Sequence, residues 1–501
     1  MQFGVSESIA HWGRYRHNSV AVHHNGEVTT YGNLNSLVNS AAYHISQADI
    51  PNERVGICVK SKFDFLVSLA GILRAGKSAV LLNMGLSDHS LIVNIEDAGV
   101  TSFIHDDTYT ERITNLSKSC EASRFLNIHK IRKDSSPNQA IPYNTRNPGD
   151  EWGVLFSSGT TGIPKGIERD HNSMITELVG WCLELGLNRE TSFYIGRPIY
   201  YTGGLVLSLS TLITCGRVIL NDFKNDNDPN EVWNDYQAMT SEISMSWAFF
   251  VPDQIRAFTT IAENLNTSPK AARSILVMGA PISGQEKVKP SKLLNCEVVE
   301  SWGNSESLGT ITEPDDLRIR PNSIGRPFLT DELYIVDDNC NQITQPEIHG
   351  RIAGNEEGGF CKYCNRPDAT QQAKRNHLII SEDIGYVDRD GYFYICGRQQ
   401  DSIVRNGETI FRSDIERKLR GLKWVSECFV SAKAIDDTSV ELVAVIVPSD
   451  RHVTSKGDVL DRLNAVLNSN EQLSAVLFID SMPHTPSGKI DKAAVDKLAR
   501  G

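Results

Sequence analysis

Leu155-Phe156-Ser157-Ser158-Gly159-Thr160-Thr161-Gly162-Ile163-Pro164-Lys165-Gly166 packs hydroxyls, glycines and one lysine into a single loop. These are the parts of a polyphosphate clamp. Glycines let backbone N–H groups approach phosphate oxygens, hydroxyls donate further hydrogen bonds, and a lysine supplies positive charge. The order is not that of the Walker loop, G-x-x-x-x-G-K-[ST], because Lys165 follows a proline and precedes a glycine. Alone, a Gly/Thr-rich stretch is most often a turn, so the rest of the chain has to decide its meaning.

Working outward, residues 34, 37, 38, 41, 42 and 45 are Leu, Leu, Val, Ala, Ala and Ile, the spacing of one apolar helix face, after Thr30-Tyr31-Gly32. A compact apolar run, Val55 to Val59, precedes a second helical pattern, Phe63 to Leu73, and a buried run, Ala79 to Leu82. This alternation predicts β-α-β units in a mostly parallel sheet covered by helices. Residues 107–150 have weaker apolar periodicity and carry Pro137, Pro142 and Pro148, so they read as a connecting region. The texture changes again at Gly397-Arg398-Gln399-Gln400-Asp401, after the strand-like Tyr392 to Cys396. Beyond it, Ser413-Asp414-Ile415-Glu416 reads as a capping box, and Glu427 to Ser431 and Val440 to Val447 read as strands. A small α+β domain is expected there.

A chain of 501 residues exceeds the roughly 250 to 300 residues of a single core, so several units are expected. Acidic residues outnumber basic ones by 62 to 50, which argues against a nucleic-acid surface. The amino-terminal residues lack the pattern of a secretory signal. The greasiest stretch, Leu205 to Cys215, is interrupted by Ser208, Ser210, Thr211 and Thr214 and reads as a buried helix rather than a membrane span. Ten scattered cysteines suit a reducing compartment, and a cytoplasmic location is expected. Cys361 and Cys364 form a lone CxxC without a second pair, and two ordinary thiols are the simpler reading.

Ser158 to Gly166 resembles, position for position, the phosphate-loop signature S-G-T-T-G-x-P-K-G of the ANL adenylating-enzyme superfamily, which comprises acyl-CoA synthetases, adenylation domains and beetle luciferases. The resemblance recurs in order from Thr30-Tyr31-Gly32 to Lys489. Pro198 to Gly204 is similar to the segment lining the acyl pocket, and Gly279-Ala280-Pro281 to the adenine-side turn. Trp302-Gly303-Asn304-Ser305-Glu306 stands where the family usually reads Tyr-Gly-x-Thr-Glu. Asp383 and Gly397-Arg398 match the ribose-binding aspartate and the pair before the hinge, and Pro486-Ser487-Gly488-Lys489 matches the motif with the catalytic lysine.

The resemblance implies an α/β fold: a large adenylate-forming domain with mainly parallel sheets over residues 1–398, a hinge at 399–401 around Gln400, and a small α+β domain over 402–501. It implies a nucleotide set of Ser157, Ser158, Gly159, Thr160, Thr161, Gly162, Lys165, Gly279, Ala280, Pro281, Glu300, Trp302, Gly303, Asp383 and Arg398, with Lys489, Glu306 and Ser305 catalytic. The chemistry agrees. An indole can stack on adenine, a carboxylate can accept both ribose hydroxyls, and Glu306 offers Mg²⁺ a hard oxygen. Lys489 would offset the charge that gathers as a carboxylate attacks the α-phosphate of ATP. Trp302 keeps the stacking face but loses the tyrosine hydroxyl, and Ser305 keeps the threonine hydroxyl. Ser381-Glu382-Asp383 replaces Thr-Gly-Asp, and Gln400 replaces an acidic or lysine hinge residue.

The expected function is ATP-dependent activation of a small or medium carboxylic acid as acyl-AMP, followed by transfer to a thiol, coenzyme A first. The alternatives are the phosphopantetheine of an acyl carrier protein and an amine. Tyr201-Thr202-Gly203 offers no aspartate to hold an α-ammonium group, whose unpaired burial is costly. Tyr200, Tyr201, Thr202, Trp247 and Gly303, with Phe249 and Phe250, are the acyl-pocket candidates, and Gly407 the acceptor-channel candidate. A nucleotide sensor that kept only the fold would not need Lys165, Glu306, Asp383 and Lys489 together.

Overall fold

Thr30 accepts a hydrogen bond from the Asn33 amide at 3.2 Å and starts the helix Tyr31–Gln47, which buries Leu34, Val38, Ala41, Ala42 and Ile45. The strand Arg54–Cys58, the helix Lys62–Arg74 and the strand Ser78–Leu81 follow, so the expected β-α-β alternation forms. Lys62–Arg74 is buried along its whole length. Gly71 lets it lie against the preceding helix, because a Cβ there would sit 2.6 Å from that of Ala41. The structure, a computed structural model, describes residues 4–50, 53–119, 124–133, 147–157, 164–265, 269–306, 308–405, 408–422, 424–434, 440–449, 456–484 and 490–500.

The chain divides into two compact units. One comprises Met1–Leu333 with Gly354–Ile379, the other Tyr334–Ala353 with Ile380–Gly501. The expected hinge residues, 399–401, fall inside the second unit by this division.

The first unit holds two large sheets. One runs, edge to edge, through Arg326–Pro327, Gly309–Ile311, Glu297–Gly303, Ser274–Val277, Trp247–Phe250, Ser192–Ile195, Arg217–Ile219, Val20–His24 and Glu27–Thr30. Its inner neighbours are parallel, and antiparallel pairs occur at the edges. The other runs through Lys362–Tyr363, Gly166–Asp170, Glu151–Phe156, Ser78–Leu81, Arg54–Cys58, Ser102–His105 and Arg124–Asn127. Parallel strands buried on both faces need crossover helices, which is why apolar runs alternate with helical patterns. The stretch expected to be a buried helix is Thr202–Ile213, buried from Gly204 onward.

Two expectations need correction. Residues 107–150 are more than a connection, because the helices Thr110–Leu116 and Ile128–Lys133 and the strand Arg124–Asn127 lie within them. These elements are too short to show periodicity. Ser413 does not cap its helix: Arg412–Arg420 begins after Phe411, and the Ser413 hydroxyl donates to the Cys396 carbonyl at 2.5 Å. That tertiary bond replaces the local one. The helix packs with the antiparallel strands Val425–Ala434 and Val440–Pro448 around Ile415, Leu419, Cys428, Val430, Leu442 and Ala444, the expected α+β texture.

Candidate active site

Four adjacent parallel strands, Ser192–Ile195, Trp247–Phe250, Ser274–Val277 and Glu297–Gly303, send their carboxyl ends to one side of the larger sheet. Open α/β sheets bind ligands outside the carboxyl ends of their strands. Pro198 to Gly204, the segment expected to line the acyl pocket, follows the first of these strands, Gly279-Ala280-Pro281 the third and Asn304-Ser305-Glu306 the fourth. Gly279 has φ of +103°, a conformation glycine adopts without strain. The Pro281 carbonyl accepts from Arg256 at 3.0 Å, which ties this turn to the helix Pro252–Glu263.

Two observations join these segments. The hydroxyls of Thr202 and Ser305 are 3.0 Å apart, so the acyl segment meets the 302–306 segment. At Gly203, a Cβ would lie 3.1 Å from the Phe249 ring and 3.2 Å from the Met278 sulfur, which brings the strand end at Phe249 and the residue before Gly279 against the same helix start. Tyr200 and Tyr201 have ring centroids 4.7 Å apart, and the Tyr201 hydroxyl accepts from the Asn83 amide at 3.2 Å. Burial pushes both phenols up, so they remain neutral.

Ser157 and Lys165, which flank the Gly/Thr-rich stretch, are joined by two hydrogen bonds. The Ser157 amide donates to the Lys165 carbonyl at 3.0 Å, and the Lys165 amide donates to the Ser157 hydroxyl at 3.2 Å. This pair caps the hairpin of Glu151–Phe156 and Gly166–Asp170, in register Phe156 opposite Gly166. Lys362–Tyr363 pairs with the outer strand of that hairpin, Tyr363 opposite Ile167. Tyr363 thereby reaches both sides of the site. Its hydroxyl donates to Glu306 Oε1 at 2.6 Å, and Lys165 Nζ stands 5.2 Å from its ring centroid. Sequence reading missed Tyr363. A two-residue strand carries no periodicity, and the neighbouring cysteines drew attention to sulfur. Burial pushes the Cys361 and Cys364 thiols up to about 11 and 12, away from thiolate chemistry.

Other candidates stand apart. The Glu300 carboxylate turns into the interior and pairs with Lys287 at 2.6 Å, with burial pushing its carboxyl up. Trp247 sits at the amino end of its strand, stacks on Phe193 and donates its indole N–H to the Leu185 carbonyl at 3.1 Å. Phe250 is fully buried among Tyr194, Tyr236 and Phe258. These last two aromatics serve the core. Trp302 is half-buried on the strand Glu297–Gly303, opposite Thr310. In the second unit Asp383 lies opposite Arg398 on paired strands, with Arg398 Nε 3.4 Å from its carboxylate. The Asp383 amide donates to the Ser381 hydroxyl at 3.1 Å, and the Gln400 amide group donates to Glu382 at 3.2 Å. Ser158, Gly159, Thr160, Thr161, Gly162, Gly407 and Lys489 lie outside the described residues. Among the described residues, no helix is long and apolar enough to cross a membrane.

A family model described as AMP-binding enzyme matches residues 9–358. Feruloyl-CoA synthase from an Amycolatopsis species is 26% identical over 485 residues, 95% of each protein. The structure of o-succinylbenzoate CoA synthetase from Bacillus subtilis with an acyl-adenylate intermediate matches with a TM-score of 0.85 at 20% identity, covering 97% of both chains. An amide bond synthetase from Marinactinospora thermotolerans matches with a TM-score of 0.85 at 20% identity, covering 98% of this chain and 99% of that one.

Proposed function

The chain belongs to the AMP-binding enzyme family, and on that premise we propose that it is an AMP-forming acid–thiol ligase with coenzyme A as acceptor. In the first half-reaction an oxygen of the substrate carboxylate attacks the α-phosphorus of ATP, the bond to the pyrophosphate oxygen breaks, and acyl-AMP forms. In the second, a thiolate attacks the acyl carbonyl and AMP leaves. The observation that carries this reading is the Thr202–Ser305 contact of 3.0 Å, which joins the acyl segment to the segment bearing Trp302 and Glu306. A carboxylate and a nucleotide held by these two segments would be neighbours.

The roles follow from chemistry and resemblance. The loop from Ser157 through Ser158, Gly159, Thr160, Thr161 and Gly162 to Lys165 holds the triphosphate. The resemblance assigns Trp302, Gly303 and the Gly279-Ala280-Pro281 turn to the adenine, and Asp383 with Arg398 to the ribose. Glu306 fits Mg²⁺, because a half-buried carboxylate that meets the same tyrosine as Lys165 is the hard oxygen ligand this ion shares with phosphates. Bound there, Mg²⁺ supplies charge neutralisation to the triphosphate. Lys489 stabilises the charge developing in adenylation. The resemblance assigns the hinge to Gln400 and the thiol step to the segment holding Gly407.

Tyr201-Thr202-Gly203 offers no aspartate to hold an α-ammonium group on the acid. Asp222 and Asp226, which share a cavity with Tyr200, are engaged by His24 at 2.8 Å and Lys62 at 3.2 Å. The likeness to an amide bond synthetase favours a second acceptor reading, an amine.

The test is incubation with ATP, Mg²⁺, a panel of aryl and aliphatic acids, and either coenzyme A or an amine panel, read by mass spectrometry. The proposal expects an acyl-CoA and stoichiometric AMP. Amides alone would move the acceptor to an amine, and ADP in place of AMP would reject adenylation.

A further inference from the structure

Tyr363 is 7% exposed, and its position is fixed from several directions. Its backbone pairs with Ile167, its amide donates to the Thr370 hydroxyl at 3.0 Å, and the amides of Cys361 and Cys364 donate to the carbonyls of Glu168 and Gly166 at 2.8 Å each. Its ring packs on Phe360 with centroids 4.8 Å apart. From this anchored site the hydroxyl donates to Glu306 Oε1 at 2.6 Å, and the ring lies 5.2 Å from Lys165 Nζ.

We infer that Tyr363 is a positioning residue, which orients the Glu306 carboxylate for Mg²⁺ and Lys165 for the phosphates through one phenol. The inference rests on the proposed roles of Glu306 and Lys165 and deepens them. A glutamate on a loop has several rotamers, and a hydrogen bond to one carboxylate oxygen removes that freedom before the ligand arrives. A phenol does this without adding a charge. A lysine or arginine in its place would neutralise Glu306 and compete with the metal. The ring acts separately, offering the Lys165 ammonium an aromatic surface that constrains it. Hydroxyl and ring therefore have distinct duties, and substitution can separate them.

The experiment is calorimetric titration with α,β-methylene-ATP, in excess Mg²⁺ and in EDTA, of wild type, Tyr363→Phe, Tyr363→Leu and Glu306→Gln. It requires no knowledge of the acid. Tyr363→Phe keeps the ring, so binding of the Mg²⁺ complex should weaken about tenfold, the scale of one hydrogen bond to a charged group. Binding of the metal-free analogue should stay within about twofold. Tyr363→Leu should weaken both forms, and Glu306→Gln should lose the preference for the Mg²⁺ complex. If Tyr363→Phe binds the Mg²⁺ complex as wild type does while Glu306→Gln loses that preference, the inference falls and the reading of Glu306 stands. Equal losses of both forms in Tyr363→Phe would mean a structural role and also overturn the inference. A wild type indifferent to Mg²⁺ would overturn the reading of Glu306 and the inference with it.

Discussion

Lys287 reaches from the helix Gly284–Leu294 to place its ammonium 2.6 Å from the Glu300 carboxylate, and a second contact runs to the Ser323 carbonyl at 3.3 Å. Both side chains are nearly withdrawn from solvent. Breaking a buried pair from one side leaves an uncompensated charge and costs about 3–5 kcal/mol. Lys287→Met should therefore lower stability by about that amount at pH 8. Burial pushes the Glu300 carboxyl up and the Lys287 ammonium opposes that rise, so Lys287→Met leaves the carboxyl raised further. Stability is then fully present below the unfolded carboxylate pKa and is lost as pH rises through the folded one. The Lys287→Met deficit should accordingly shrink toward pH 5, and chemical denaturation at both pH values checks it. A deficit independent of pH would contradict this account. Glu300 also marks a limit of sequence reading at this scale. A single glutamate near a nucleotide-binding pattern looks the same whether it faces the ligand or a buried lysine thirteen residues away. Trp247 was ambiguous in the same way, since an indole can line a pocket or, as here, a core. Glu306, Ser305 and Thr202 stand out in the sequence because an ordered motif surrounds each, and Tyr363 does not because none surrounds it.

Among the elements, the hairpin of Glu297–Gly303 and Gly309–Ile311 presents the 302–306 segment, and Asp331 accepts the Gly309 amide at 3.1 Å at its far arm. Burial and the neighbouring Glu177 push the Asp331 carboxyl up from 3.8 to about 7. The folded state then holds a proton that the unfolded chain releases, so this residue's contribution is present below about pH 4 and is lost as pH rises through about 7. Asp331→Asn keeps an acceptor oxygen and removes the titration. Its melting temperature relative to wild type should rise between pH 5 and pH 8, and parallel profiles would contradict the assignment. The elements themselves were readable in proportion to length. Tyr31–Gln47 and Lys62–Arg74 announced themselves through several turns of apolar spacing. The short pieces between residues 107 and 150 did not, and Ser413 obeyed a tertiary hydrogen bond in place of the local capping rule.

At the scale of the whole molecule, the α/β architecture followed from alternating apolar runs and helical patterns, because only crossover helices let buried strands run parallel. What the sequence left open was how distant segments meet. Thr202 and Ser305 touch across 103 positions of chain, and no periodicity reports such a contact. The account's central claim is that the chain joins a carboxylate to AMP. Acid-dependent exchange of labelled pyrophosphate into ATP, measured across an acid panel with no acceptor present, tests it most directly because exchange requires acyl-AMP formation alone. The account predicts exchange with at least one acid in the wild type. It predicts that Lys489→Ala loses about 10²-fold or more of that exchange, the scale of one group stabilising developing charge, while still forming thioester from chemically prepared acyl-AMP. Absence of acid-dependent exchange from the folded wild type across the panel, or equal losses in both half-reactions for Lys489→Ala, would contradict it.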